Sequence, residues 1–290
     1  MMNSRPTVLF VALVLWGAFG ADAHAQKAGA SSKSIQEGVL SLNFANNGQH
    51  VRAKVGQQIE ITLGIVGPAE YGNPLVSSTA VRLESTALDW PPNPGGATLI
   101  YIFEAAAVGE AQVIIPILNS PDPDIAKKNT FTATIRVEKA GGKAAAFRKL
   151  DQANTATWTQ AWTNLVNDVE QSFTPLLPRL TSVEVDLVVA NPGPSDEELT
   201  LNLLNAEGKV LAVVTKSVSV KECGHVRFFL PSSVWGVSPG QVYRIRLRGG
   251  NLYGWKYVMG GYKNGGASFN GRPLVQGARS TFLFRTYGAD

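Results

Sequence analysis

Apolar and polar residues alternate along most of this chain, most clearly in two regions. In the first region, Val39 to Val137, apolar side chains occupy every second position in segments 59–65 and 131–137. In the second region, which follows Pro178, the same period of two runs through segment 183–189 and recurs up to the last strand near Phe284. Because successive side chains of a strand point to opposite faces, this period predicts short strands with one buried face.

Turn-forming residues separate the predicted strands of the first region. Glycine and proline cluster at 67–68, 72–74, 90–96 and 120–124, and this spacing of strands and turns is typical of a sandwich of about 100 residues. We therefore predict an Ig-like β-sandwich over residues 35–138. A small, polar, glycine-containing stretch follows, and we expect residues 139–150 to form a linker.

Residues 151–290 are predicted to form a second, jelly-roll-like β-sandwich of about eight strands, with a turn at Asn205–Gly208. The beginning of this region is ambiguous. Trp158, Trp162, Leu165 and Val169 recur at the intervals of one helix face, but four nearby threonines disfavour a helix. We expect an irregular segment and then a strand near 166–173. The predicted fold class is all-β, with two β-sandwich domains.

The first 25 residues have the features of a cleaved signal peptide. Arg5 precedes the apolar run Val8–Phe19, and Ala23-His24-Ala25 has the small-x-small pattern before a cleavage site. This run is shorter than the roughly 20 residues that cross a bilayer. We expect a signal peptide at residues 1–25 and a protein that is secreted, periplasmic or held at the cell surface, with no membrane span.

The net charge limits the classes of partner that we expect, and the cysteine content shows how the fold can be stabilised. The net charge is only +4, and no lysine or arginine run of the nucleic-acid-binding type is present. We therefore expect a polysaccharide or a surface protein as partner and no nucleic acid. Cys223 is the only cysteine, so a disulfide framework is excluded and stability must come from packed cores.

Enzymatic motifs are scarce, so we predict no catalytic residues. Only His50 and His225 remain after the signal peptide, and no nucleophile elbow, zinc-protease or P-loop motif occurs. Cys223 lies near His225, but the segment between them suits a turn rather than a Cys–His nucleophile pair. A free, partly buried cysteine is the preferred interpretation.

Two clusters of carboxylates raise the question of a metal. They are Asp122 with Asp124, and the run Asp196, Glu197 and Glu198. Calcium takes six or more oxygen ligands, and neither cluster supplies such a set alone. We predict no cofactor and no metal site, with a structural calcium ion as the alternative.

The best candidate site is a row of aromatic residues. Period-two spacing puts Tyr253, Trp255 and Tyr257 on one face, with Tyr262 following. Sugar rings stack on tyrosine and tryptophan, so these residues are candidate carbohydrate contacts, with Trp255 and Tyr262 preferred. The alternative is that the row forms the core side of a sheet.

A row of arginines alternates with apolar residues just before these aromatics. Arg244, Arg246 and Arg248 share one face of a predicted strand. Three guanidinium groups so placed suit sulfate, phosphate or uronate groups. The alternative is a solvated face that discourages pairing at a sheet edge.

The second region resembles bacterial jelly-roll carbohydrate-binding modules. The resemblance rests on the segments Gln171–Pro175, Val183–Pro194, Tyr243–Leu247, Gly254–Tyr257 and Phe284–Tyr287. It implies a non-enzymatic binding module.

The first region resembles bacterial Ig-like adhesion modules, through Val55–Leu63 and through Tyr101–Ala105 followed by Gly109. The same outline is similar to chagasin-type cysteine-protease inhibitors. Their inhibitory loop typically reads Asn-Pro-Thr-Thr-Gly, whereas residues 67–74 read Gly-Pro-Ala-Glu-Tyr-Gly-Asn-Pro.

Together these features predict a secreted, non-enzymatic binding protein for carbohydrate or a cell-surface component. One alternative is a chagasin-like inhibitor that inserts Tyr71–Pro74 and Trp90–Gly96 into a protease cleft. The other is a structural or adhesive component of an envelope assembly.

Overall fold

The computed structural model describes residues 38–64, 70–89, 98–118, 123–140, 149–157, 161–191, 193 and 196–290. These residues are mostly β-strand, with a single short α-helix, Pro123–Asn129 (α1), among them. The all-β fold predicted from the sequence is therefore confirmed. The predicted signal peptide and the segment Trp90–Gly96 lie outside the described residues.

The first ten strands build a sandwich around one core. They are Val39–Asn43 (β1), Gln49–Lys54 (β2), Gln58–Gly64 (β3), Glu70–Tyr71 (β4), Leu75–Val76 (β5), Val81–Leu88 (β6), Thr98–Ala105 (β7), Gly109–Ile115 (β8), Ile117–Leu118 (β9) and Phe131–Glu138 (β10). One sheet has the order β2-β10-β8-β5, and the strands β1-β3-β7-β6 lie side by side in a second sheet. Ile61 and Phe103 from one sheet pack with Val113 and Ile135 from the other in a single buried cluster.

The remaining strands build a second sandwich. They are Lys149–Asn154 (β11), Trp162–Asn164 (β12), Val169–Phe173 (β13), Arg179–Val189 (β14), Asp196–Asn205 (β15), Val210–Ser219 (β16), His225–Phe229 (β17), Tyr243–Arg248 (β18), Tyr253–Met259 (β19), Ala267–Phe269 (β20), Arg272–Pro273 (β21), Ser280–Phe282 (β22) and Phe284–Ala289 (β23). The order β11-β23-β14-β19-β12 forms a seven-stranded sheet, with β17 paired to β14 and β22 paired to β19. It packs against β16-β15-β18-β13-β20-β21 around a second buried cluster.

A continuous sheet joins the two sandwiches. Strand β6 of the first pairs antiparallel with β16 of the second, with Thr86 opposite Thr215 and Leu88 opposite Val213. The result is a ten-stranded sheet in the order β1-β3-β7-β6-β16-β15-β18-β13-β20-β21. Ile100 and Ile102 of β7 even belong to the second buried cluster. The domain boundaries themselves stay predictions, but the two cores are in contact through this sheet.

Polar contacts reinforce the junction between the sandwiches. Both carboxylate oxygens of Glu60 accept hydrogen bonds from Ser232, at 2.6 Å from the backbone nitrogen and 2.7 Å from the hydroxyl. Gln58 donates to the carbonyl of Leu230 at 3.1 Å. Lys216 lies 3.2 Å from Glu84, and both side chains are largely buried. The junction is thus held by side chains as well as by strand pairing.

Several local predictions can be compared with the structure. The ambiguous stretch contains no helix among its described residues and forms β12 and β13, so the strand expected near 166–173 is confirmed. The turn at Asn205–Gly208 is present, with Gly208 at φ +83°. The turn expected at 120–124 is wrong for its described end, because α1 begins at Pro123. Proline suits the first turn of a helix, where its missing N–H is not needed.

Candidate functional site

The aromatic row predicted to bind a ligand lies largely in the core of the second sandwich. Tyr253 and Trp255 are fully buried. Trp255 stacks on Phe282 at a centroid distance of 4.3 Å, and its indole N–H donates to the carbonyl of Leu283 at 2.8 Å. The hydroxyl of Tyr253 donates to the carbonyl of Val218 at 3.0 Å. Both rings are therefore satisfied within the protein.

Tyr262 and Tyr257 follow the same pattern. Tyr262 is 8% exposed, and its hydroxyl donates to Oε1 of Gln152 at 2.9 Å. Tyr257 is half-buried and meets Phe282 edge-on. Burial raises the pKa of Tyr262, and it raises that of Tyr253 to about 12. Because the preferred rings, Trp255 and Tyr262, are enclosed, they present almost no surface on which a ligand could stack.

The three arginines lie outside the core, and each has a carboxylate partner. Nε of Arg246 is 2.6 Å from Glu170, and Arg244 reaches the other oxygen of Glu170 at 3.5 Å. Arg248 pairs with Asp168. Three positive charges thus face two carboxylates, so the row carries one net positive charge rather than three. Ligand binding by these arginines stays a prediction.

The candidate nucleophile and metal ligands do not assemble into a reactive site. Cys223 is a free cysteine, as expected, and burial raises the pKa of its thiol, which lowers the thiolate fraction. Glu197 accepts hydrogen bonds from the backbone amides of Gly250 and Leu252. Among the described residues, no group of three histidine, cysteine or acidic side chains could hold a metal ion; Asp122 is outside them.

One end of the first sandwich carries a cluster of strand ends, which we call the loop end. Gly64 of β3 lies opposite Thr98 of β7. Leu88 of β6 lies opposite Leu99. In the facing sheet, Ile115 of β8 lies opposite Phe131 of β10. The connections after β3, β6 and β8 therefore leave the sandwich at the same end.

The loop end exposes large apolar side chains. They are Phe44 (41% exposed), Leu75 (63%), Leu88 (36%) and Leu118 (46%). Apolar side chains exposed to water are unfavourable, and where several lie at one end of a fold they can mark a surface that another molecule covers. The alternation pattern missed these residues because Leu88 ends a strand, Leu75 and Leu118 lie in two-residue strands, and Phe44 begins a short 3-10 helix.

Buried contacts fix the backbone beneath this apolar surface. The amide of Gly72 donates to Pro116 O at 2.8 Å, and the buried hydroxyl of Tyr101 donates to Gly72 O at 3.0 Å. Leu118 packs directly on Gly72, where an added Cβ would lie 3.0 Å from its Cγ. The segment Tyr71–Leu75 is thus held in one position by β4–β9 pairing and by the core.

Comparison with known proteins gives no family. No family model and no curated protein matches the chain. Among solved structures, the cysteine protease inhibitor EhICP2 from Entamoeba histolytica has 12% identity and a TM-score of 0.30, over 34% of this chain and 96% of its own. Amebosin has 19% identity and a TM-score of 0.25, over 34% of this chain and 97% of its own. Lac15 from a marine microbial metagenome has 12% identity and a TM-score of 0.21, over 62% and 51% of the two chains. With TM-scores this low, no inference about function follows from these likenesses.

The described part of the chain has no helix long and apolar enough to cross a membrane.

Proposed function

We propose that this chain is a secreted or periplasmic, non-enzymatic binding protein whose loop end binds a partner protein. The observation that carries the proposal is the exposure of four large apolar side chains where three connections leave one end of the first sandwich. Binding residues are often found on loops that a rigid scaffold positions. Burying exposed apolar side chains against a partner removes their surface from water, and this favours binding.

The chemistry of the described residues supports binding without turnover. Cys223 has a raised thiol pKa, and no described cluster could hold a metal ion. His50 and His225 lie on strands of different sandwiches, β2 and β17. A catalytic pair needs a nucleophile and a base in hydrogen-bond reach of each other. Among the described residues, no hydrogen bond joins either histidine to a serine or cysteine side chain; His225 contacts Asp186 and Arg285 instead.

Two kinds of protein partner fit the loop end. The sequence resemblance of the first sandwich to chagasin-type inhibitors makes a papain-like cysteine protease the first partner to test, although residues 67–74 depart from the inhibitory loop. The second is another envelope protein, as in an adhesive or structural assembly. Carbohydrate binding through Trp255 and Tyr262 receives no support, because both rings are enclosed.

The test compares the loop end with the opposite end of the same sandwich. Leu75→Glu places a charge on a side chain that is 63% exposed, so folding should be unaffected. Val108→Glu is the matched control, because Val108 is 58% exposed in the β7–β8 turn at the far end. We expect micromolar wild type and Val108→Glu to inhibit a papain-like protease, and Leu75→Glu to inhibit at least tenfold less.

Full protease activity at micromolar excess of wild type would exclude the inhibitor function. Cross-linking of the purified protein to periplasmic and surface proteins then tests the second partner class. A cross-linked partner that Val108→Glu retains and Leu75→Glu loses would support the loop end. Equal behaviour of the two variants in both assays would overturn it.

A further inference from the structure

The outer face of the seven-stranded sheet carries an ordered row of charged side chains. Val183, Val185 and Leu187 of β14 fill the core, so the alternate residues Glu184 and Asp186 lie on the opposite face, where their side chains are 10% and 14% exposed. Residues directly opposite on neighbouring strands share that face. They are Arg227 and Arg285 beside Glu184, and His225 beside Asp186.

These groups form one connected network. Nζ of Lys256 lies 2.6 Å from Asp186, and Nδ1 of His225 lies 3.3 Å from the other oxygen of Asp186. His225 also lies 3.1 Å from Nη1 of Arg285. The network thus links strands β19, β14, β17 and β23 across the sheet.

Glu184 anchors the other end of the network. Arg285 contacts one of its oxygens at 2.7 Å and Arg227 the other at 2.8 Å. Burial raises the pKa of this carboxyl, but the hydrogen bonds and charges of the two arginines outweigh burial and lower it. Glu184 is therefore ionised at neutral pH, and the guanidinium groups are fixed in one orientation.

Trp162 stands at the β12 end of this face. It lies opposite Lys256 in the β12–β19 pair, and its indole covers Gly254, where a Cβ would approach Cε3 to 2.5 Å. Because Gly254 and Lys256 alternate with the buried Tyr253 and Trp255, the indole is on the outer face. It is 40% exposed, so it presents an aromatic surface beside fixed polar groups.

At its other end the face opens into a cleft between the sandwiches. His225 and Arg227 line this cleft together with Arg82 and Glu84 of β6 and Lys216 of β16. Its volume is about 760 Å³. A ligand that began on Trp162 and crossed the network would reach this opening.

The formal charges of the face and cleft nearly balance. The cations are Arg82, Lys216, Arg227, Lys256 and Arg285, and the acids are Glu84, Glu184, Asp186, Glu198 and Glu222, with Glu104 as a sixth acid that pairs with Arg82 at 2.9 Å. Most cations are already paired with a carboxylate, so a charged ligand would gain little. A neutral ligand with many hydroxyl groups can instead use the remaining hydrogen-bonding capacity of both signs.

We propose that this face, from Trp162 through Lys256 and Asp186 to His225, binds a neutral oligosaccharide. The C–H surface of one sugar would stack on the indole, and hydroxyls would bond to the fixed charged groups. Trp162 and β17 are separated by three strand spacings, roughly 14 Å, so the surface suits a chain of several sugars. This proposed oligosaccharide site does not depend on the protein-binding surface proposed at the loop end.

Affinity electrophoresis and calorimetry with soluble neutral glycans, β-glucan and galactomannan, test this proposal, with alginate as the acidic probe. We expect wild type to bind a neutral glycan, Trp162→Ala to bind at least tenfold more weakly, and Trp162→Tyr to regain part of the loss. Met259→Ala is the control, because Met259 lies on the same strand β19 and is 54% exposed. Circular dichroism checks that each variant folds.

The salt dependence of binding distinguishes a neutral glycan from an acidic one. Binding of a neutral glycan should change less than twofold between 0.05 and 0.5 M salt, on the order expected when no ion pair forms. Binding of alginate alone, lost at high salt, would overturn the proposal, as would retention of no glycan at all. Equal affinity of Trp162→Ala and Met259→Ala would place any glycan site elsewhere. Because the loop end is not altered, failure here leaves the proposed protein-binding function untouched.

Discussion

Glu60 is a carboxylate enclosed at the junction of the sandwiches, where ionisation is costly. It is 5% exposed on β3 and accepts hydrogen bonds from Ser232 and from Gln58, the latter at 2.9 Å. Burial raises its pKa, and the hydrogen bonds oppose this without cancelling it. The balance makes the junction sensitive to pH, because deprotonation places a charge between two packed elements.

We expect Glu60→Gln to remove part of the pH dependence of stability. The folded-state pKa of Glu60 is raised above the ordinary value of 4.5. Protonated Glu60 therefore contributes its full stabilisation of the folded state below about pH 4.5. It is lost as pH rises through the raised pKa. Glutamine keeps the shape and the acceptor oxygen without the charge. The free energy of unfolding of Glu60→Gln minus that of wild type should therefore be larger at pH 7 than at pH 4.5.

Urea denaturation of both proteins at pH 4.5 and pH 7 measures this difference. Subtracting wild type from the variant removes the opposite contribution of Glu184, whose lowered pKa favours stability at higher pH. Glu110→Gln is the control for the loss of one carboxylate, because Glu110 lies on the exposed side of β8. The same pH trend in both variants would contradict the role given to Glu60.

At the residue scale, the sequence predicts which side chains share a face but not which face is inside. Period two correctly separates Arg246 from its buried neighbours Ile245 and Leu247 on β18. The choice between core and ligand surface depends on packing against β16 and β15, which no local pattern contains. The position of Trp162 on the outer face of the sheet could not be predicted for a related reason, because its strand partner Lys256 is far away in sequence.

At the scale of elements, alternation predicts the long strands well. Segments 131–137 and 183–189 lie within β10 and β14. Short elements escape it: β4, β5 and β9 have two residues each, too few to show a period. The parallel pairing of β1 with β3 and of β2 with β10 also cannot be predicted from the sequence, because it depends on contacts between distant segments.

Adjacent glycines in the connection to β20 give a sharp test of element packing. A Cβ at Gly265 would lie 1.8 Å from the carbonyl oxygen of Ser172 on β13, whereas a Cβ at Gly266 would meet nothing within 4 Å. Neither residue has a positive φ. We expect Gly265→Ala to lower the free energy of unfolding by about 1–3 kcal/mol, because backbone must move.

Gly266→Ala is the matched control for that change. Where the backbone conformation is compatible, alanine restricts the unfolded chain, so stability should stay the same or rise by up to about 1 kcal/mol. Chemical denaturation of the two variants under the same conditions gives the comparison. A loss in Gly266→Ala as large as in Gly265→Ala would show that the β13–β20 contact is not what the glycine protects.

At the scale of the whole molecule, the sequence indicates two sandwiches but not how they are joined. The pairing of Leu88 with Val213 brings together segments from the two predicted domains. It extends one sheet through both and lets Ile102 of the first sandwich pack into the core of the second. Of the linker predicted at 139–150, residues 141–148 lie outside the described residues, and Lys149 and Leu150 lie in β11.

Because strands and cores are shared, we expect the two sandwiches to unfold together. Ile61→Val removes one methylene from the fully buried face of β3 and should cost about 0.5–1.5 kcal/mol. Trp235 and Trp255 are buried in the second cluster, so their fluorescence follows the second sandwich. Trp90→Phe is introduced into both wild type and Ile61→Val. It removes the tryptophan that precedes β7 in sequence, so that this residue does not contribute to the fluorescence.

In urea, the midpoints from tryptophan fluorescence and from far-ultraviolet circular dichroism should coincide and shift equally in Ile61→Val. Ile245→Val, an equivalent deletion in the buried face of β18, should shift both midpoints in the same way. A fluorescence midpoint that stays fixed in Ile61→Val while the dichroism transition divides in two would mean independent folding. In that case the β6–β16 pairing would join two separately stable units rather than one cooperative structure.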